Sequence, residues 1–248
     1  MADPLILFLI FLVGGLAGFW GSITGGGGLI SIPLLIFFGL PPQIAIATNK
    51  FGGLGLGLGA TIKFLKNKLI IWKYVPIFII LGGIGAYLGT NILLKTDERI
   101  LSRIVGLILL LVLPAIFLNK KAGIERMVIK KSSKILGYFF YFLIMIFGGF
   151  FGGGTGIFSM YTLTLLFGLT ILEANATDLI GWLFMSVISL IILALNDSIN
   201  YLIGIFLFLG MLPGGYLGAK IAIKKGAGWV KILFTVTVIL SAIKLIFF

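Results

Sequence analysis

Eight apolar runs, each near the roughly 20 residues that carry a helix across a bilayer core, constrain this chain more than any other feature. They are Pro4 to Gly21, Ile44 to Ile62, Tyr74 to Leu94, Ile100 to Leu118, Ile135 to Phe151, Ile171 to Leu195, Ile199 to Ala219 and Val230 to Phe248. Inside hydrocarbon every backbone amide and carbonyl needs a partner within the protein, so runs of this length read as membrane-crossing helices. Two shorter apolar runs, Leu29 to Gly39 and Ile157 to Gly168, follow glycine clusters and are too short to cross alone.

The composition agrees. Of 248 residues 60% are hydrophobic and 10% charged, and the mean hydropathy is +1.24, outside the mixture of a soluble domain. The formal charge of +12 sits in short tracts between apolar runs, which suits loops facing anionic membrane lipid and gives no nucleic-acid surface. Cysteine and histidine are both absent. That removes disulfides, thiol nucleophiles, imidazole bases and the usual transition-metal ligands. Neither a serine–histidine pair nor a metalloprotease motif is present, so we expect no catalytic residues, no cofactor and no enzyme. The start, MADPLILFLIFLVGG, carries an acid in place of a basic leader region and reads as a retained first span.

The chain repeats itself at an offset of 128 to 129 residues. Gly25, Gly26, Gly28 and Ser31 match Gly153, Gly154, Gly156 and Ser159; Phe38, Gly39, Leu40, Ala45, Ala47 and Thr48 match Phe167, Gly168, Leu169, Ala174, Ala176 and Thr177. The register persists to Gly85, Tyr87, Leu88 and Gly89 against Gly214, Tyr216, Leu217 and Gly218. Residues 1–118 and 135–248 therefore read as two transmembrane repeats. Between them, 119–134 forms a basic cytoplasmic linker with six bases and one acid. The lysine-rich loop of the first half (Lys63, Lys66, Lys68, Lys73) corresponds to Asn196–Asn200, which has no base, whereas the next loop of the second half carries Lys220, Lys224, Lys225 and Lys231. The positive-inside rule explains this swap if the halves insert upside down relative to each other. The expected fold is an all-α polytopic membrane protein: two inverted-topology repeats with short glycine-broken helices, eight long spans plus two short helices, and both termini outside.

Broken helices survive in a membrane only where protein or a wet cavity surrounds them, so the breaks at Gly21–Gly28 and Gly152–Gly156 should lie inside. Glycines followed at once by a helix leave free N–H groups at its positive end, a natural anion site. Gly25, Gly26, Gly27 and Gly28, with Gly153, Gly154 and Gly156, are the backbone candidates. Ser22, Thr24 and Ser31 in one half, and Thr155, Ser159 and Thr162 in the other, are candidate hydroxyl donors. The spaced pairs Gly55/Gly59, Gly85/Gly89 and Gly214/Gly218 read instead as close helix packing. Downstream, Thr48-Asn49-Lys50 matches Thr177-Asp178-Leu179. Intramembrane charges mark function by default: Lys50 would attract an anion and Asp178 would exchange a proton, and the two could approach each other near the midplane. The opposing reading is a structural ion pair or a lysine reaching an interface. Glu173 reads as a residue of the membrane edge. The four tryptophans read as an interfacial belt, although Trp20 and Trp182 flank the two motifs and could wall a cavity.

GGGGLISIPLLIFFGLPPQIAIATNK, followed by a glycine-rich helix and a basic loop, resembles the first-half signature of the sulfite exporter TauE/SafE family, and GGGTGIF…FGL…ANATD resembles its weaker repeat. Residue by residue, Gly25 to Gly28, Pro33 and Ala47-Thr48-Asn49-Lys50 match the pattern, while the second half departs around Asp178. The resemblance implies a multi-pass permease of the cell membrane for small anions such as sulfite or organosulfur compounds. The expected function is thus secondary transport of a small anionic solute by alternating access, with Thr48, Asn49 and Lys50 contacting it together with the helix ends and Thr177, and Asp178 serving coupling. A passive anion channel or a structural membrane subunit is the alternative, and assembly as a homodimer is left open.

Overall fold

The computed structural model describes residues 4–97 and 123–233. The expected span Ile100–Leu118 and most of Val230–Phe248 lie outside the described residues. The fold is all-helical: α1 (Pro4–Thr24), α2 (Gly28–Phe37), α3 (Pro42–Lys66), α4 (Val75–Lys95), α5 (Lys131–Phe150), α6 (Thr155–Phe167), α7 (Ile171–Leu195) and α8 (Tyr201–Lys225). Among the described residues α1, α4, α5, α7 and α8 are long and apolar enough to cross a membrane. At 25 residues, α3 is about 37 Å long, but glycines and Lys50 dilute its apolar character. The helices α2 and α6, with 10 and 13 residues, are the two short elements expected from the sequence.

Helix ends follow local chemistry. Proline stands at the first helical position of α3 and the second of α4, where a missing N–H costs nothing. Thr170 and Glu173 form a capping box on α7, and Asn200 Oδ1 accepts from Ile203 N at 3.2 Å to cap α8. Arg126 donates to both carboxylate oxygens of Glu173 and forms an ion pair with it, so the residue expected at the membrane edge serves as a helix cap tied to the linker.

Packing pairs α1 with α8, α3 with α8, α4 with α5, α4 with α7, and α3 with α7. Helix contact in lipid depends on close approach rather than on hydrophobic burial, and the glycines supply it. A β-carbon on Gly55 would lie 2.5 Å from Phe208 O, and one on Gly85 2.7 Å from Met145 C; Gly59, Gly89, Gly214 and Gly218 meet neighbouring backbone carbonyls as tightly. The packing role expected for these pairs is what the contacts require.

Contacts also give direction. Gly14 lies against Leu207, Gly18 against Met211 and Phe19 against Gly218, so α1 runs parallel to α8. Ile46 and Ala47 cluster with Leu190 and Leu193, while Ala60 and Phe64 cluster with Ala176 and Leu179. Hence α3 and α7, which carry the matching TNK and TDL segments, run antiparallel. The C-terminal ends of α3 and α8 meet the N-terminal ends of α4, α5 and α7 at one end of the bundle. Lys63 lies over the Tyr216 ring at 5.6 Å, and Lys134 Nζ donates to Tyr74 Oη at 3.3 Å. The three basic loops therefore share one end. At the opposite end Gln43 Nε2 donates to Thr96 O at 2.9 Å.

Candidate functional site

The two glycine breaks cross each other in the middle of the bundle. The first is shorter than the sequence suggests: α1 continues through Gly21 to Thr24, with Ser22 Oγ and Thr24 Oγ1 donating back to Phe19 O and Trp20 O at 3.0 Å each. The chain then turns at Gly25 (φ +76°), and α2 starts at Gly28. In the second half α5 ends at Phe150, Gly152 and Gly154 take φ of +81° and +77°, and α6 starts at Thr155. A β-carbon on Gly25 would lie 2.8 Å from Gly156 Cα, and one on Gly28 2.8 Å from Gly153 Cα. These two contacts exchange when each residue is replaced by its counterpart 128 positions away. Only glycine fits there, because each break occupies the space a side chain of the other would need.

The crossing leaves backbone donors over. Gly26 N donates to Thr24 Oγ1 at 3.3 Å, but the amides of Gly27, Gly28, Gly153, Gly154 and Gly156 donate to no partner among the described residues. Unpartnered amides at helix starts are donors of the kind that can receive an anion. A cavity of about 50 Å³ adjoins them, lined in part by Gly25, Gly27, Gly28 and Gly156. At roughly 10–15 Å³ per water it holds on the order of four waters, or a solute of a few heavy atoms.

Two helices supply the polar wall. Asn49, Gly53 and Leu56 of α3 and Asn175, Asp178, Leu179 and Trp182 of α7 face the cavity, at the spacings that share one helix face. Asn49 Oδ1 accepts from Ser31 Oγ at 2.5 Å. Its counterpart Asp178 is 3% exposed and sits beside the buried hydroxyls of Tyr141 and Ser159, which interact with its carboxyl without reaching full hydrogen-bond geometry. Asp178 is the one ionisable residue of the lining. Asn175 Nδ2 donates to Ser22 O at 2.7 Å, fixing α7 against the end of α1.

Of the residues singled out from sequence, Gly25, Gly27, Gly28, Asn49, Gly156 and Asp178 line the cavity, and Gly26, Gly153 and Gly154 complete the breaks beside it. Several of the candidate hydroxyls take other partners. Thr48 Oγ1 accepts from Asn200 N at 3.1 Å and Thr177 Oγ1 from Ile71 N at 3.0 Å, a pair of bonds related by the 129-residue offset. Thr155 Oγ1 donates to Gly152 O at 3.0 Å. Lys50 is 2% exposed, stands outside the lining and donates to Gly148 O. It makes no ion pair with Asp178: Lys50 reaches Gly148 near the C-terminal end of α5, whereas Asp178 lies beside Tyr141, about two turns earlier on the same helix. Sequence reasoning assigned no role to Asn175 and treated Trp182 chiefly as a belt residue; their spacing of three and four residues from Asp178 was the available signal.

Apolar spans around a partly open cavity that polar groups line in part, between two helix breaks, define a multi-pass membrane protein built to handle a small solute. The family model described as "Sulfite exporter TauE/SafE" matches residues 10–245, and the chain belongs to that family. It is 28% identical over 243 residues to a "Probable membrane transporter protein" of Haemophilus influenzae, covering 98% of this chain and 95% of the relative. It is 26% identical over 250 residues to the "Probable membrane transporter protein YfcA" of Escherichia coli K12, covering 98% and 89%, and 27% identical over 266 residues to the "Probable membrane transporter protein YunE" of Bacillus subtilis, covering 97% of each. No solved structure matches. The protein is thus a multi-pass protein of the cell membrane from a transporter family, not an enzyme.

Proposed function

We propose that this chain is a secondary transporter that moves a small oxyanion, sulfite or a short sulfonate, by alternating access between two inverted repeats, with proton coupling through Asp178. The observation that carries this reading is the crossing of the two breaks, where unpartnered amides border a cavity of about 50 Å³. Its size suits a solute of a few heavy atoms. Inverted topology is supported by the antiparallel crossing of α3 and α7 and by the paired bonds at Thr48 and Thr177. With the basic loops gathered at one end, the positive-inside rule makes that end cytoplasmic.

Coupling follows from the lining. A negative solute and an ionised Asp178 cannot share so small a space without a large electrostatic cost, whereas a protonated carboxyl offers a donor. Solute and proton therefore bind together, and by linkage each raises the affinity for the other. The test is flux in proteoliposomes. Methanesulfonate, which stays ionised across the neutral range, should accumulate against its gradient when a proton gradient is imposed and should stop when a protonophore is added. Downhill flux indifferent to the protonophore would make the protein a passive channel, and absence of flux with both sulfite and methanesulfonate would overturn the substrate class.

A further inference from the structure

The cavity lining divides in two when each residue is matched with its counterpart in the other half. Gly28 and Gly156, Asn49 and Asp178, and Gly53 and Trp182 are counterparts, and all six line the cavity. Gly21, Gly25, Gly27, Leu56, Gly152, Asn175, Leu179 and Met211 also line it, but their counterparts, Lys50 opposite Leu179 and Met185 opposite Leu56 among them, do not. The cavity therefore straddles the axis relating the halves and is displaced to one side of it. Leu179 belongs to the N-terminal half of α7, nearer the basic end of the bundle, and Lys50 to the N-terminal half of α3, nearer the opposite end. The displacement is toward the basic end.

The counterpart volume is filled. Met185 and Thr155 are wholly buried, and a β-carbon on Gly148 would lie 2.6 Å from Met185 Sδ and 2.9 Å from Thr155 Cγ2. The Lys50 ammonium reaches into this knot and donates to Gly148 O. It has three donors and only that one acceptor among the described residues, poor compensation for a buried cation. Such a group is ready to exchange its carbonyl for an anion.

We propose that Lys50 joins the binding site when the transporter turns its cavity to the face opposite the basic loops, taking the place that Leu179 holds here. This rests on the inverted-repeat reading above. When the halves exchange conformations the counterpart residues become the lining, the bond to Gly148 O breaks, and a cation stands where this state has a leucine. The two states of the site then differ in charge: the far-facing site selects negative solutes by direct ion pairing, and the state seen here holds them through amides and Asp178. Lys50 is a specificity determinant in one state and part of the seal in the other.

The chain has no cysteine, so single-cysteine variants report access cleanly. Leu179→Cys, Lys50→Cys and Met185→Cys would be exposed to an impermeant maleimide in membrane vesicles of both orientations, with Lys66→Cys and Lys224→Cys as topology reporters. The expected result is labelling of Leu179→Cys from the basic-loop side and of Lys50→Cys and Met185→Cys from the opposite side. Met185→Cys retains Lys50, so it keeps the test valid if the lysine variant fails to fold. Labelling of Lys66→Cys and Lys224→Cys from opposite faces would overturn the inverted-repeat reading itself. If both label from one face while Lys50→Cys and Met185→Cys stay protected, or label from the basic side, only the present inference falls.

Discussion

Asn49 and Asp178 occupy equivalent positions and differ by one group, an amide against a carboxyl. The amide oxygen is held by Ser31 Oγ, while Oδ1 of the carboxyl is buried beside the hydroxyls of Tyr141 and Ser159 on a residue that lines the cavity. We expect Asp178→Asn to leave the fold intact and to remove the coupling. In the wild type, affinity for methanesulfonate should weaken as pH rises through the titration of Asp178, by up to about tenfold per pH unit, because the ionised carboxylate opposes the anion. In the variant the pH profile should be flat; an unchanged slope would take Asp178 out of the coupling step. Thr48 and Thr177 carry a structural prediction instead. Valine at either site leaves a main-chain amide, Asn200 N or Ile71 N, without its acceptor, at a cost of about 1–3 kcal/mol where that amide stays shielded. Thermal unfolding in detergent reads this out, and the two losses should be alike. The Arg126–Glu173 pair should matter less through its charge: Arg126 is 65% exposed, so Arg126→Ala should cost about 1 kcal/mol or less, and Glu173→Gln somewhat more if the amide caps Thr170 N less well.

At the scale of elements, the glycine breaks behave as two interlocked bends rather than two flexible linkers. Gly156→Ala would put a methyl group 2.7 Å from Gly25 Cα, backbone against backbone, with no flexible side chain to yield. Overpacking of this kind costs roughly 1–3 kcal/mol, and transport should fall with it because the free amides move. Gly228→Ala, with nothing within 4 Å, should be silent in both assays and serves as the control. The presence of the breaks could be read from sequence, since four glycines in a row beside a hydroxyl cluster have no use in ordinary helix packing. Their extent could not. Ser22 and Thr24 look like parts of a break, yet their hydroxyls bond back to helix carbonyls and α1 runs on to Thr24, an outcome that depends on neighbours rather than on composition. The face formed by Asn175, Asp178, Leu179 and Trp182 was within reach of the helical period.

For the whole molecule, the proposed repeat rests on a register that survives two distant blocks, and its proposed orientation rests on the loop charges. The meeting of α3 and α7 in antiparallel fashion and the gathering of basic loops at one end agree with that reading. What the sequence concealed was the placement of Lys50. Its neighbours Thr48 and Asn49 are close to or in the lining, but the lysine side chain leaves α3 toward Gly148, a residue 98 positions away; no local pattern encodes that contact. At this scale the proposed halves meet at a glycine crossing, with a hollow beside it. The most direct test uses selenite, the selenium analogue of sulfite, and anomalous diffraction from crystals soaked with it. We predict one selenium peak in the hollow bordered by Gly28, Gly156, Asn49 and Asp178, absent when Gly156 is replaced by alanine. Selenium found only at the surface lysines, or none in a crossing that stays intact, would contradict the account.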